Sequence, residues 1–219
     1  MLFMVGQDMT NVNRIRVVVL GSPRVGKSAV TVRYLTKRYI GEYSSTSDFL
    51  YRHNVTFDNV TTEVEILDTS KCAKNGCLYE HIRWGEAFVI VYSVSDRHSF
   101  HEAQEILSQL AKLKLPSYYT SLLLGNKRDL DHSRQICVDD GQELSLQYGC
   151  QFYEVSAAEN FAGVSLAFQS LLREARSVQL LKALPIRRKL GVNSVSKVLG
   201  NIFGKNSKGD RKKRPSLSI

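Results

Sequence analysis

The 219-residue chain has no long apolar run and only four cysteines. Each shortage excludes something. A membrane-spanning helix needs about 20 consecutive apolar residues, and no stretch approaches that. The opening Met1–Val5 is apolar but is followed at once by Gly6, Gln7 and Asp8, too short for a secretory signal. Leu2 stands where N-myristoylation requires glycine. Cys72, Cys77, Cys137 and Cys150 lack metal-site spacing, and the Cys72–Cys77 pair is too isolated to complete a four-ligand site. With 43% hydrophobic residues the chain can bury a core without a disulfide framework, which predicts an intracellular protein with reduced thiols.

Acidic residues are scarce in one place. From Arg176 to Ile219 there are 12 Lys and Arg against one acid, Asp210. That stretch carries +11 of a total of +9, so the remainder is slightly acidic at −2. The basic character belongs to a tail and not to the body. The expected organisation is an N-terminal extension over 1–13, a domain over 14–177 and a basic, partly amphipathic tail over 178–219.

The body is organised by Arg14 to Ser28. A β-branched apolar strand runs into Gly21-x-x-x-x-Gly26-Lys27-Ser28, and a helical pattern follows. A glycine-rich turn of this kind lets backbone N–H groups point at phosphate oxygens. Gly21, Ser22, Pro23, Arg24, Val25, Gly26, Lys27, Ser28 and Ala29 form the candidate phosphate site. Lys27 reaches the β- and γ-phosphates, Ser28 ligates Mg²⁺, and the helix adds its N-terminal dipole.

Further along, Ala29 to Tyr39 reads as a helix ended by Gly41, and Tyr51–Phe57 and Val60–Leu67 as strands joined at Asp58-Asn59. Asp68 then stands at a strand's carboxyl end, where parallel sheets present ligand-binding groups. Lys71 to Arg83 reads as irregular. Ala87–Val94 is a continuous apolar strand, as a sheet covered on both faces demands. Helical periodicity over Ser99–Leu113, a strand over Ser121–Leu124, a helix over Asp139–Tyr148, a strand at Phe152–Val155 and a last helix from Phe161 past Arg176 complete the pattern. The alternation predicts an α/β fold: a doubly wound, mostly parallel six-stranded sheet with helices on both faces and right-handed crossovers.

Two further strand ends carry chemistry. Asn126-Lys127-x-Asp129 follows a strand, and its aspartate can accept hydrogen bonds from guanine N1 and N2, groups that adenine lacks. Asn126 is expected to face the other base edge, with the Lys127 stem over the ring. Ser156-Ala157 is expected to offer a backbone N–H to the guanine oxygen.

These motifs, in this order, resemble the Ras-family small GTPases over about Arg14 to Arg176. Within the family the chain most resembles the branch of the Ras-related estrogen-regulated growth inhibitor, on Leu35–Ile40, His81–Glu86, Tyr92–Arg97 and Asn126–Gln135. The resemblance implies GTP and GDP as ligands, Mg²⁺ as cofactor and a monomer. By the same resemblance Tyr39 packs edge-on to the base, Tyr43 is the switch tyrosine and Thr46 ligates Mg²⁺ in the triphosphate state. Asp68 then holds Mg²⁺ through a water, and Ala158 replaces a lysine that follows the Ser-Ala pair.

Departures from the family bear on turnover. Lys71 and Cys72 stand where the family has Gly-Gln. The glutamine orients the attacking water, and a cysteine is too short and too weak a hydrogen-bonding group to replace it. Cys72 therefore occupies the family's catalytic position, and no catalytic residue is assigned. Pro23 replaces a small residue that faces the γ-phosphate, removing an N–H and adding a ring. The expectation is slow intrinsic hydrolysis; the alternatives are an ordinary switch completed by its partner, a GTP-locked scaffold, or a nuclear factor acting through its tail. Ser44-Ser45 and Phe49 alter the effector segment, and Phe49 removes an acid that basic Ras-binding modules read. The effector is thus expected to be a protein unlike the standard Ras effectors.

Three fates suit the tail: an amphipathic run on an anionic membrane, a nuclear or nucleic-acid address in Arg211–Arg214, or a solvated disordered segment. The last cysteine is Cys150, so no prenyl anchor is expected. Localisation is expected to be cytoplasmic, nuclear or peripheral at a membrane.

Overall fold

The computed structural model describes residues 14–43, 47–57, 59–69, 76–114 and 119–183. The N-terminal extension, Ser44, Ser45, Thr46, Asp58, Lys71, Cys72 and the tail beyond 183 lie outside the described residues. So do the expectations resting on them.

Six strands form one sheet in the order β2-β3-β1-β4-β5-β6. In chain order they are β1 (Arg14–Leu20), β2 (Phe49–Phe57), β3 (Val60–Asp68), β4 (Ala87–Ser93), β5 (Thr120–Asn126) and β6 (Gln151–Glu154). The β2–β3 hairpin is antiparallel and every other pairing is parallel. Asn59, in the hairpin turn, adopts φ +64, the left-handed conformation that asparagine tolerates best among side chains with a Cβ.

The helices are α1 (Lys27–Thr36), α2 (Gly76–Trp84), α3 (Arg97–Lys114), α4 (Val138–Tyr148) and α5 (Phe161–Ala183), with a 3₁₀ turn at Arg128–Ser133. Strand alternation divides the core. On one face Val17 and Val19 of β1, Val89 and Val91 of β4 and Leu122 and Leu124 of β5 pack with Val30 of α1 and Phe168, Leu171 and Leu172 of α5. On the other, Val18, Leu20, Phe88, Ile90 and Leu123 meet Leu78 and Ile82 of α2, Leu107 and Leu110 of α3 and Leu144 of α4. Each such aliphatic burial contributes roughly 1.5–3 kcal/mol. Both faces of β4 are buried throughout, which explains its unbroken apolar run. Among the described residues no helix is long and apolar enough to cross a membrane.

Two elements differ from expectation. The segment expected to be irregular up to Arg83 contains α2, whose Leu78 and Ile82 sit one turn apart and are both buried. α1 ends at Thr36 and not near Gly41: Lys37 turns to φ 63, and the Thr36 hydroxyl accepts the Arg38 N–H at 3.2 Å. α5 runs past Arg176 as expected, reaching Ala183, and Gln179 within it donates to the Arg14 carbonyl at 2.7 Å.

Candidate functional site

The loop between β1 and α1 depends on two glycines. Gly21 has φ +139, and a Cβ there would lie 2.1 Å from the Val91 carbonyl oxygen. Gly26 has φ +100, and its Cβ would lie 2.3 Å from Asn126 Nδ2. Both combine a backbone that L side chains rarely adopt with no room for one. Arg24 also adopts positive φ, at 64. Lys27 is only 6% exposed, and its ammonium donates to the carbonyls of Gly21 and Ser22, each at 2.8 Å. A cation is thereby held inside the loop, against the α1 N-terminus, where both favour an anion. The Ser22 carbonyl takes one of the Lys27 bonds, and its hydroxyl donates to Glu102 of α3.

Asp68, at the end of β3, is 2% exposed, and its Oδ1 has no hydrogen-bond partner among the described residues. Burial raises its pKa above the usual carboxylate value, while a hydrogen bond with Ser28 and the charge of Lys27 pull it down. A serine hydroxyl beside a buried carboxylate with an unpartnered oxygen is a hard-oxygen donor set that fits Mg²⁺. Ser28 and Asp68 are brought together as expected; Thr46, the third expected ligand, lies outside the described residues. Thr69 is structural, donating its hydroxyl to the Val19 carbonyl at 2.7 Å.

At the opposite end, the loops after β5 and β6 interlock. Asn126, 2% exposed, donates Nδ2 to the Val25 carbonyl at 2.9 Å, and its Oδ1 accepts the Ala157 N–H at 3.2 Å. Asn126 thus joins the phosphate loop to the β6 loop, with its second amide hydrogen and the second lone pair of its oxygen still available to a ligand. The Ser156 hydroxyl donates to Asp129 Oδ1 at 2.6 Å and accepts the Glu159 N–H at 3.1 Å. Ser156 therefore orients the Asp129 carboxylate. Lys127, at φ 63, turns the chain so that Asp129 faces the cavity.

These pieces border one cavity of about 640 Å³, within the range of a small-molecule site. Pro23, Arg24, Gly26, Lys27, Ser28 and Ala29 line its phosphate end, and Asn126, Lys127, Asp129, Ala157 and Ala158 its base end. Tyr39 and Tyr43 line it from the segment after α1, with the Tyr43 hydroxyl accepting the Ile40 N–H at 3.2 Å. Gly21, Ser22, Val25, Asp68 and Ser156 are not among the lining residues. Gly41, Thr69 and Leu130 line it without having been expected. Leu130 follows Asp129 directly, and its adjacency to the motif is the one signal that marks it. Cys72 lies outside the described residues.

Comparison with known proteins agrees with this arrangement. The model of the Ras family matches residues 16–177. The Ras-related and estrogen-regulated growth inhibitor of Homo sapiens is 38% identical over 193 residues, covering 88% of this chain and 96% of that protein. GTP-binding protein Rit2 of Mus musculus is 38% identical over 174 residues, covering 79% and 80% respectively. Ras-like protein 2 of Mucor circinelloides is 35% identical over 165 residues, covering 75% and 83%. With the phosphate loop, the buried aspartate and the two base loops on one rim of a six-stranded sheet, the chain belongs to the Ras family of small GTPases.

Proposed function

We propose that the chain is a guanine-nucleotide switch that binds GTP and GDP with Mg²⁺ and cleaves GTP slowly. Asp129, oriented by Ser156, supports the choice of guanine. Ser28 and Asp68 would hold Mg²⁺, which when bound neutralises phosphate charge. Lys27 and the backbone N–H groups of the loop bind and orient the phosphates.

The observation that carries slow turnover is Pro23. It lines the phosphate end of the cavity, where it offers no N–H and narrows the approach to the transferred phosphoryl group. Phosphoryl transfer depends on positioning and charge stabilisation, and cysteine at 72, where the family resemblance has the water-orienting glutamine, is too short and too weak a hydrogen-bonding group to supply either. A single-turnover assay on purified, GTP-loaded protein tests this. Pro23→Gly combined with Cys72→Gln should raise the rate about tenfold or more. An equal rate in wild type and double variant would refute slow turnover as the property of these two residues. A double variant that gains while wild type shows no detectable cleavage would favour a GTP-locked scaffold.

On the effector side, Phe49 opens edge strand β2 and is 42% exposed. An apolar ring at that position does not complement the basic modules that read Ras, so the partner is assigned to another class.

A further inference from the structure

The phosphate loop has two limbs, and each is fixed by a side chain from a different element. Asn126 at the end of β5 holds the Val25 carbonyl. On the other limb the Ser22 hydroxyl donates to Glu102 Oε2. We propose that Glu102 is a positioning residue for nucleotide binding, setting the Ser22 limb of the loop from α3. The inference rests on nucleotide binding at this loop and is independent of the rate of hydrolysis.

Ser22 is 5% exposed and is pinned on two sides, its carbonyl by Lys27 and its hydroxyl by Glu102. A hydroxyl given to a carboxylate is a charge-assisted bond, stronger than a neutral one. Glu102 is itself restrained. Its Oε1 lies 3.3 Å from His98 Nε2 one turn earlier, and its side chain is 30% exposed. The helix beneath it is fixed at its start, where the Asp96 carboxylate accepts the N–H groups of His98 and Ser99 at 3.0 and 3.3 Å. Phe100, Ala103 and Leu107 bury the inner face of the same turns. Glu102 therefore acts from a rigid element.

Between the two limbs stand Pro23 and Arg24, both exposed. Arg24 sits at φ 64, a conformation disfavoured for a residue with a Cβ. The surrounding contacts must hold that turn. Without the Ser22–Glu102 bond, the limb that presents the Lys27-bound carbonyl loses its outer restraint. The loop must then be ordered by the nucleotide itself, and that ordering cost appears as lost affinity, chiefly as faster release.

The test is the dissociation rate of a fluorescent GDP analogue from the full chain in Mg²⁺ buffer. Glu102→Ala and Ser22→Ala should each raise the rate about fivefold to thirtyfold. The double variant should be no faster than either alone. Glu102→Gln keeps an acceptor oxygen and should fall back toward the wild-type rate, a rescue that a bulk packing defect would not show. Ser22→Ala removes one atom and serves as the second route should Glu102→Ala fold poorly. Rates within twofold of wild type for both single variants, or multiplicative effects in the double variant, would overturn the assignment. A wild-type chain that retains no guanine nucleotide would instead refute binding itself, and the positioning role with it.

Discussion

Asn126→Ala removes a side chain that joins the phosphate loop to the loops after β5 and β6. Two hydrogen bonds disappear, from Nδ2 to the Val25 carbonyl at 2.9 Å and from the Ala157 N–H to Oδ1 at 3.2 Å. The site is 2% exposed, so the orphaned carbonyl and N–H gain little from water. Leaving a buried polar group without its partner costs about 1–3 kcal/mol, so the pair places the loss at roughly 2–6 kcal/mol. Some of that destabilises the fold and lowers the unfolding midpoint. The remainder falls on binding, because both walls of the cavity lose their common anchor. Expressed as affinity, about 2–3 kcal/mol is a weakening on the order of thirtyfold to a hundredfold or more. Equilibrium titration with fluorescent GDP, alongside denaturant unfolding of the nucleotide-bound protein, separates the two contributions. Asn126→Asp keeps an acceptor for the Ala157 N–H but sets a carboxylate oxygen against the Val25 carbonyl, so it should not recover wild-type affinity. An alanine variant with wild-type affinity and stability would show that the loops hold each other without this residue, and the site geometry described above would be wrong.

Other perturbations have definite signs. Asp129→Asn exchanges an acceptor for a donor opposite the base, and should weaken GDP binding at least tenfold while improving xanthosine diphosphate, read by competition titration. Tyr92→Phe removes a buried hydroxyl that has no hydrogen-bond partner among the described residues; thermal unfolding should show a midpoint unchanged or raised, by at most about 1 kcal/mol in stability. Asp140 accepts the Cys137 N–H at 3.2 Å in the capping box of α4, and hydrogen bonds with the Cys137 side chain first and its backbone second lower its pKa. A depressed folded-state pKa means stabilisation present above the ordinary carboxylate value and lost as pH falls through the folded one. Asp140→Ala should therefore cost about 0.5–1 kcal/mol near neutrality, and the difference from wild type should close in acid denaturation.

Much of the fold was legible because its signals are local. β1, β4 and β5 are apolar runs bounded by glycine or polar residues, and each motif sits where a strand ends. α2 was not legible: between Gly76 and Trp84 only Leu78 and Ile82 are buried apolar anchors, and Glu80, His81 and Arg83 obscure their one-turn spacing. Nor was the length of α5. Leu180 and Leu181 are exposed, and the helix there is tied by Gln179 to the Arg14 carbonyl, a contact between residues distant in sequence. The same limit governs the site. Sequence spacing identifies Asn126, Ala157 and Ser22 as members of the right loops, but it does not reveal that Asn126 and Ala157 bind each other or that Ser22 turns toward Glu102. Those pairings arise only when separate strand ends meet at one rim.

The central claim is that this site holds a guanine nucleotide and cleaves it slowly. Purified protein denatured and resolved by nucleotide chromatography tests both halves at once. The account predicts guanine nucleotide in near-stoichiometric amount with a substantial fraction still GTP. GDP alone would contradict slow turnover, and adenine nucleotide or none would contradict the assignment of the site.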